Sequence, residues 1–103
     1  MIVHLDTSIL VDAFSKPFRS QRALRSLIVS AHRSAISTPV LYEWLRGPRL
    51  ETEKADLEAF FPSVEAVEFD HACAETAARV YRRVKRAHGR EMDIAIAACA
   101  IEH

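Results

Sequence analysis

The sequence predicts an α/β domain built on a parallel sheet. Three observations carry this. Short β-rich runs alternate with longer stretches of helically spaced apolar residues. Only two glycines and four prolines punctuate the chain, so connections are short. The 103 residues suffice for one hydrophobic core and are too few for two. Strands alternating with helices pack as a sheet covered by its crossover helices, and a single domain over residues 1–103 is expected.

Ile2 to Leu5 is apolar and β-branched and reads as a central, buried strand ending at Asp6. Thr7 and Ser8 can cap the next helix, which runs through Ile9, Leu10, Ala13 and Phe14 and stops ahead of Pro17. From Phe18 to about His32, Ala23, Leu24, Leu27, Ile28 and Ala31 recur at helical spacing. Arg19, Arg22 and Arg25 share the polar side. Ala35 to Ser37 is a second strand candidate. Thr38 then supplies an N-cap oxygen, Pro39 occupies the first helical position, and Gly47-Pro48 stops that helix.

Glu51 to Phe61 reads as an acidic helix burying Leu57, Phe60 and Phe61, and Val64 to Phe69 as a third strand. Asp70 opens a long helix. Its stripe of Cys73, Ala77, Val80, Tyr81, Val84 and Ala87 continues to Gly89. The last segment, from Asp93 to Ile101, is apolar all round, as a helix buried on every face would be.

Acids and bases cancel at 14 each, so net charge alone points to no polyanionic partner. The N-terminus has no basic stretch leading into a long apolar run. The run from Ile94 to Ile101 is too short to span a bilayer, so a cytoplasmic protein without a membrane partner is expected. Cys73 and Cys99 lack Cys-x-x-Cys spacing and read as two buried free thiols rather than a disulfide. The five histidines show no mutual spacing that would build a zinc site, and His4 reads as structural.

Three carboxylates stand out. In open α/β sheets, ion-binding and catalytic groups gather beyond the carboxyl ends of the strands. Asp6 sits at such an end, Glu43 one turn into the helix after the second strand, and Asp93 at the start of the apolar helix. Each also has a structural reading. Asp6 can be an N-cap and Asp93 a first-turn acid that complements the helix dipole. Glu43 is harder to explain that way. It lies among Val40, Leu41, Trp44 and Leu45, where a carboxylate needs a partner or a metal ion. Brought together, three carboxylates repel one another, and a hard divalent cation is the usual remedy. Mg²⁺ or Mn²⁺ suits an oxygen-only donor set.

These segments resemble the PIN-domain ribonucleases, and most closely the VapC-like toxin subunits of VapBC-type toxin–antitoxin pairs. Val3-His4-Leu5-Asp6-Thr7-Ser8-Ile9-Leu10-Val11-Asp12 is similar to the family's opening strand, first catalytic Asp and following polar pair. Ile36-Ser37-Thr38-Pro39-Val40-Leu41-Tyr42-Glu43-Trp44-Leu45-Arg46-Gly47 is similar to the segment with the catalytic Glu. Asp93-Ile94-Ala95-Ile96-Ala97-Ala98-Cys99-Ala100 is similar to the second Asp and its alanine-rich helix.

The resemblance implies a three-layer α/β/α domain with a parallel sheet and an acidic pocket for Mg²⁺ or Mn²⁺. It also implies endoribonuclease activity on RNA, a cognate antitoxin protein as partner, and a homodimer. Asp6, Glu43 and Asp93 would be the catalytic and metal-binding residues, with Thr7 and Ser8 in support. Asp12 and Glu91 match no catalytic position. Family members continue past the buried helix into further strands, whereas this sequence stops at Ile101-Glu102-His103. The expectation is therefore a C-terminally short domain lacking those strands, with a strand edge and apolar helix surface exposed.

In such a site the acids hold a metal ion that activates a water molecule and offsets charge on the phosphate, so no side-chain nucleophile is needed. An acidic pocket repels RNA, so its rim should be basic. Arg82, Arg83 and Arg86 are the candidate RNA contacts, in a cluster with Arg79, Lys85 and Arg90; Arg46 and Arg49 flank the Glu43 helix. The alternative reading is a catalytically inactive or incomplete PIN-like domain that serves as an antitoxin-binding or oligomerisation module. Another α/β enzyme with a strand-end Asp is a weaker rival. Haloacid-dehalogenase-type phosphatases want a second Asp two residues on, where this chain has Ser8, and phosphoacceptor receivers need neighbouring acids that the first strand lacks.

Overall fold

In the computed structural model, which describes residues 2–15 and 20–103, β1 (Val3–His4) pairs in parallel with β2 (Ser34–Ala35). Val3 lies opposite Ser34 and His4 opposite Ala35. The chain stays extended past β2. Val67 N donates to Ile36 O at 2.9 Å and Thr38 N to Val67 O at 2.8 Å, forming a parallel bridge between Ser37 and Val67. Successive carbonyls along a pleated strand point to opposite sides. Ala35 O accepts from Leu5 N at 2.9 Å while the next carbonyl accepts from Val67, so β2 runs between β1 and the Val67 segment.

This corrects the expectation of a central first strand. Among the described residues β1 is paired on one side only, and Ile2 and Val3 are 53% and 45% exposed. An apolar run identifies a strand but not what lies on its other side. The third strand is also shorter than expected. Ser63–Glu65 turns as a single 3₁₀ step, leaving Val67 to make the bridge.

Several helices begin where a side chain can satisfy their first N–H groups, though not always the side chain of the expected residue. α1 (Thr7–Phe14) is capped by Asp6, as the structural reading of that residue expects, rather than by Thr7 or Ser8; Asp6 Oδ1 accepts from Ile9 N at 3.1 Å. α2 (Gln21–Ser30) is capped by Ser20, and a 3₁₀ turn over Ala31–Arg33 leads into β2. Expectations that fall on Pro17, Phe18 and Arg19 lie outside the described residues.

α3 (Thr38–Arg46) has Ser37, not Thr38, at its N-cap position, and Pro39 in its first turn. The Thr38 hydroxyl accepts instead from Phe69 N at 3.1 Å, tying α3 to the Val67 segment. α4 (Glu51–Phe60) starts with Glu53 Oε1 reaching back to accept from Leu50 N at 2.7 Å.

Asp70 caps α5 (His71–Arg83), accepting from Cys73 N at 3.0 Å as its position before the helix predicts. The helix ends well short of Gly89. Val84 turns extended, and Arg86 takes a left-handed φ of 58°. Gly89, at φ 86°, occupies a backbone region that only glycine enters at low cost. α6 (Glu91–Glu102) then returns along α5.

The main core lies among α1, α2, α3, α4 and the strand ends. Leu10, Phe14, Val40 and Trp44 form its centre, closed by Leu5, Leu27, Ile36, Leu57 and Phe61. Phe14 meets Trp44 edge-on at 6.4 Å and 78°, and Phe60 at 5.5 Å. Such pairs add about 0.5–1.5 kcal/mol beyond area burial. A smaller core, Cys73, Ala98 and Cys99 with Ala77 against it, joins α5 to α6. α6 is not enclosed on every face as its composition suggested. Ile94, Ala98 and Cys99 are buried, while Ile101 is 63% exposed. The outcome is a helix-rich α/β arrangement with parallel strand pairing, in which β1 and α3 bring the first two acidic motifs together.

Candidate functional site

Leu5 is buried and carries the chain into Asp6, whose side chain is exposed at the start of α1. Asp6 Oδ1 accepts from Ser8 Oγ at 2.9 Å as well as from Ile9 N, while Oδ2 makes no hydrogen bond among the described residues. The neighbouring Thr7 crosses to the second acidic motif, its Oγ1 donating to Glu43 Oε1 at 2.6 Å. Glu43 Oε2 meets Arg46 Nη2 at 3.4 Å, and the Glu43 side chain is 19% exposed. The partner that a carboxylate among apolar neighbours requires is thus a hydroxyl and a guanidinium.

Asp93 lies in the first turn of α6, a helix that packs against α3. Its side chain is exposed and makes no hydrogen bond or ion pair among the described residues. The structure therefore joins the Asp6 and Glu43 motifs directly and sets Asp93 on an adjacent helix. Among the described residues the oxygens of all three do not come within 4.8 Å of one another. As a donor set they are oxygen-only, with unengaged oxygens on Asp6 and Asp93. That chemistry fits Mg²⁺ or Mn²⁺, which take carboxylates and retain several waters.

His4 is half-buried, and its Nδ1 is enclosed without a hydrogen-bond partner. Burial holds its pKa below the ordinary imidazole value, and the charge of His103 lowers it further. Backbone N–H groups of Glu91 itself and of Gly89 hold the Glu91 carboxyl below its usual range.

The basic residues divide. Arg82 and Arg83 are exposed in the last turn of α5, and Arg86 is exposed just beyond it. Arg49 is structural. Its guanidinium stacks over Trp44 at 4.2 Å, and Nε donates to Trp44 O at 3.0 Å. Arg46 is shared between Glu43 and the Tyr42 ring. Arg79 donates to the Thr76 hydroxyl, which in turn donates to Glu102.

One constellation escaped the sequence reading. Asp70, Cys73 and His103 place ligand atoms within 4.8 Å of one another, and the buried Cys99 thiol lies beside Cys73. Both cysteines are free and buried, as expected, yet they meet. Burial, and then the neighbouring Cys73, push the Cys99 thiol up to about 12. Cys73 N–H and the Cys73 thiol hold the Asp70 carboxyl below its usual range, with help from His103. The sequence carried a signal. Asp70 and Cys73 are three apart, and Cys99 and His103 four apart, so each pair shares a helix face. Histidine spacings compared only with one another miss it.

Comparison with curated proteins and with solved structures gives no significant match. A family model does match: the PIN domain, over residues 3–103. That span takes in β1, the Thr7–Glu43 link and all of α6, and the chain belongs to the PIN-domain family.

Proposed function

We propose that this chain is a Mg²⁺- or Mn²⁺-dependent endoribonuclease, the toxin component of a type II, VapBC-type toxin–antitoxin pair. PIN domains are generally metal-dependent nucleases that act on RNA. The assignment of the site is supported by the Thr7–Glu43 hydrogen bond, which joins the segment holding Asp6 to the segment holding Glu43 across 36 positions, and the toxin role rests on the resemblance of the three acidic segments. Asp6, Glu43 and Asp93 are the catalytic and metal-holding residues in this reading.

Each side chain has a defined task. Asp6 uses Oδ1 to cap α1 and keeps Oδ2 for the ion. Asp93 stands at the positive end of the α6 dipole, a favourable place for an anionic ligand. Glu43, held by Thr7 and Arg46, is oriented to bind the ion or to hold the attacking water. A divalent ion held by these residues would lower the pKa of water and offset charge on the scissile phosphate. Thr7 is a positioning residue acting through Glu43, and Ser8 acts likewise through Asp6. Arg82, Arg83 and Arg86 offer phosphate contacts on the rim.

The test is RNA cleavage by the purified chain in Mg²⁺ or Mn²⁺, beside Asp6→Asn and Asp93→Asn variants and an EDTA control. Cleavage by the unaltered chain alone supports the reading; cleavage that persists in the variants places the chemistry elsewhere.

A second reading, an inactive module that binds an antitoxin or a second copy, draws support from a specific feature. An open apolar groove of about 450 Å³ runs between α5 and α6, lined by Phe69, Ala77, Tyr81, Ile94 and Ala95 with Arg82 at its edge. Absence of cleavage by every version, together with capture of a partner on this groove, would favour it.

A further inference from the structure

The small core between α5 and α6 ends in a set of side chains that the nuclease reading does not use. Asp70 and Cys73 come from the N-cap and first turn of α5, Cys99 from the last turn of α6 and His103 from its C-cap. Asp70 Oδ2 meets His103 Nε2 at 3.0 Å while its Oδ1 remains on the helix cap. The Cys73 thiol lies 3.8 Å from Glu68 O, and Cys99 is fully buried beside it.

Two thiols, one imidazole and one carboxylate from two helices form a mixed soft donor set. Mg²⁺ and Ca²⁺ favour oxygen alone, whereas Zn²⁺ takes Cys, His and Asp in a tetrahedron. Bonds of about 2.0–2.3 Å set tetrahedral ligand atoms about 3.3–3.8 Å apart. Asp70, Cys73 and His103 already lie within 4.8 Å of one another, and Cys99, packed against Cys73, would have to turn toward them to complete the tetrahedron.

A further observation points the same way. The Ser37 hydroxyl is 1% exposed and lies against the Cys99 thiol, and it makes no hydrogen bond of ordinary geometry. A buried hydroxyl without a partner is costly. A thiolate at Cys99 would supply the missing acceptor, and such outer contacts commonly orient metal-binding sulfurs.

We propose that Asp70, Cys73, Cys99 and His103 form a structural zinc site that clamps the start of α5 to the end of α6. Binding replaces the proton between Asp70 and His103 and releases both thiol protons to solvent. Asp70 and His103 are exposed and provide the entry path. All four coordination positions are filled by protein, so the ion holds structure and leaves the chemistry to the carboxylate site.

The experiment uses the full, reduced, metal-free chain titrated with Co²⁺ and then Zn²⁺. The expected result is a thiolate-to-cobalt charge-transfer band with the visible bands of tetrahedral cobalt, displaced by one equivalent of Zn²⁺, and a higher melting temperature with Zn²⁺. Cys99→Ser should abolish the band. His103→Ala, at an exposed position that spares the core, should weaken binding by more than the roughly 10–100-fold typical of outer-contact changes, and Ser37→Ala by about that amount. Asp6→Asn should leave the band unchanged, which separates this site from the carboxylates. Three results would overturn the proposal: no band in the unaltered chain, a band unaffected by His103→Ala, or a Cys73–Cys99 disulfide forming in saturating zinc.

Discussion

Thr7 donates to Glu43 at 2.6 Å, and this bond connects two helices whose sequences are 36 positions apart. It is charge-assisted and part-buried, and it fixes one carboxylate oxygen of Glu43 while Arg46 meets the other. Hydrogen bonds to charged groups contribute about 1.5–3 kcal/mol. Thr7→Val keeps the shape and removes the donor, so cleavage should fall roughly tenfold or more if Glu43 positioning limits the reaction. Thr7→Ser should restore most of it. Rates measured alongside melting temperature check this, because a merely structural role would lower both together.

Asp6 has two tasks that substitution can separate. Asn caps a helix about as well as Asp does, so Asp6→Asn should leave stability within a few tenths of a kcal/mol while removing RNA cleavage. Asp6→Ala should lose cleavage and also about 0.5–2 kcal/mol of stability, because Ile9 N is left without its acceptor. Denaturant titration of both variants reads the cap, and an RNA assay reads the site.

Trp44 is fully buried against Phe14 and carries Arg49 on its other side. Trp44→Ala should cost about 3–5 kcal/mol, a large share of the total for a domain of this size. The denaturant midpoint measures it. A loss below about 1 kcal/mol would mean that Trp44 does not anchor the core.

Arg82, Arg83 and Arg86 are exposed at and beyond the end of α5. Replacing all three with Ala should weaken RNA binding. The slope of log K against log salt should fall by about 0.7 for each single-strand phosphate that the variant no longer neutralises. Binding and slope that stay unchanged would assign this face to solvent alone.

Much of the local structure was legible in the sequence. The Asp70 cap, the helix through Leu10 and Phe14, and the stop at Gly47 follow from interactions within a few residues. The α5 boundary was less legible. The apolar stripe continues through Val84 and Ala87, yet the helix ends at Arg83, where Val84 turns extended and Arg86 takes a left-handed φ before α6 begins. Two threonines that could have capped α1 and α3 serve elsewhere. Thr7 and Thr38 carry suitable oxygens, but each was taken up by a partner elsewhere, Glu43 and Phe69 N. The sequence marked Asp6, Glu43 and Asp93 by motif, while the bond that joins two of their segments runs through Thr7, read both as a cap and as a supporting residue.

By itself, then, the sequence determined the alternation of strands and helices, the acidic motifs and the starts of α4 and α5, because periodicity and capping act over one or two turns. Tertiary structure alone decided that β1 lies beside β2 with no other described strand against it, that Thr7 meets Glu43, and that Cys73 and Cys99 come together with Asp70 and His103. Those relations join segments tens of residues apart. Their formation depends on which distant surfaces bury each other, and no local window of sequence contains both partners.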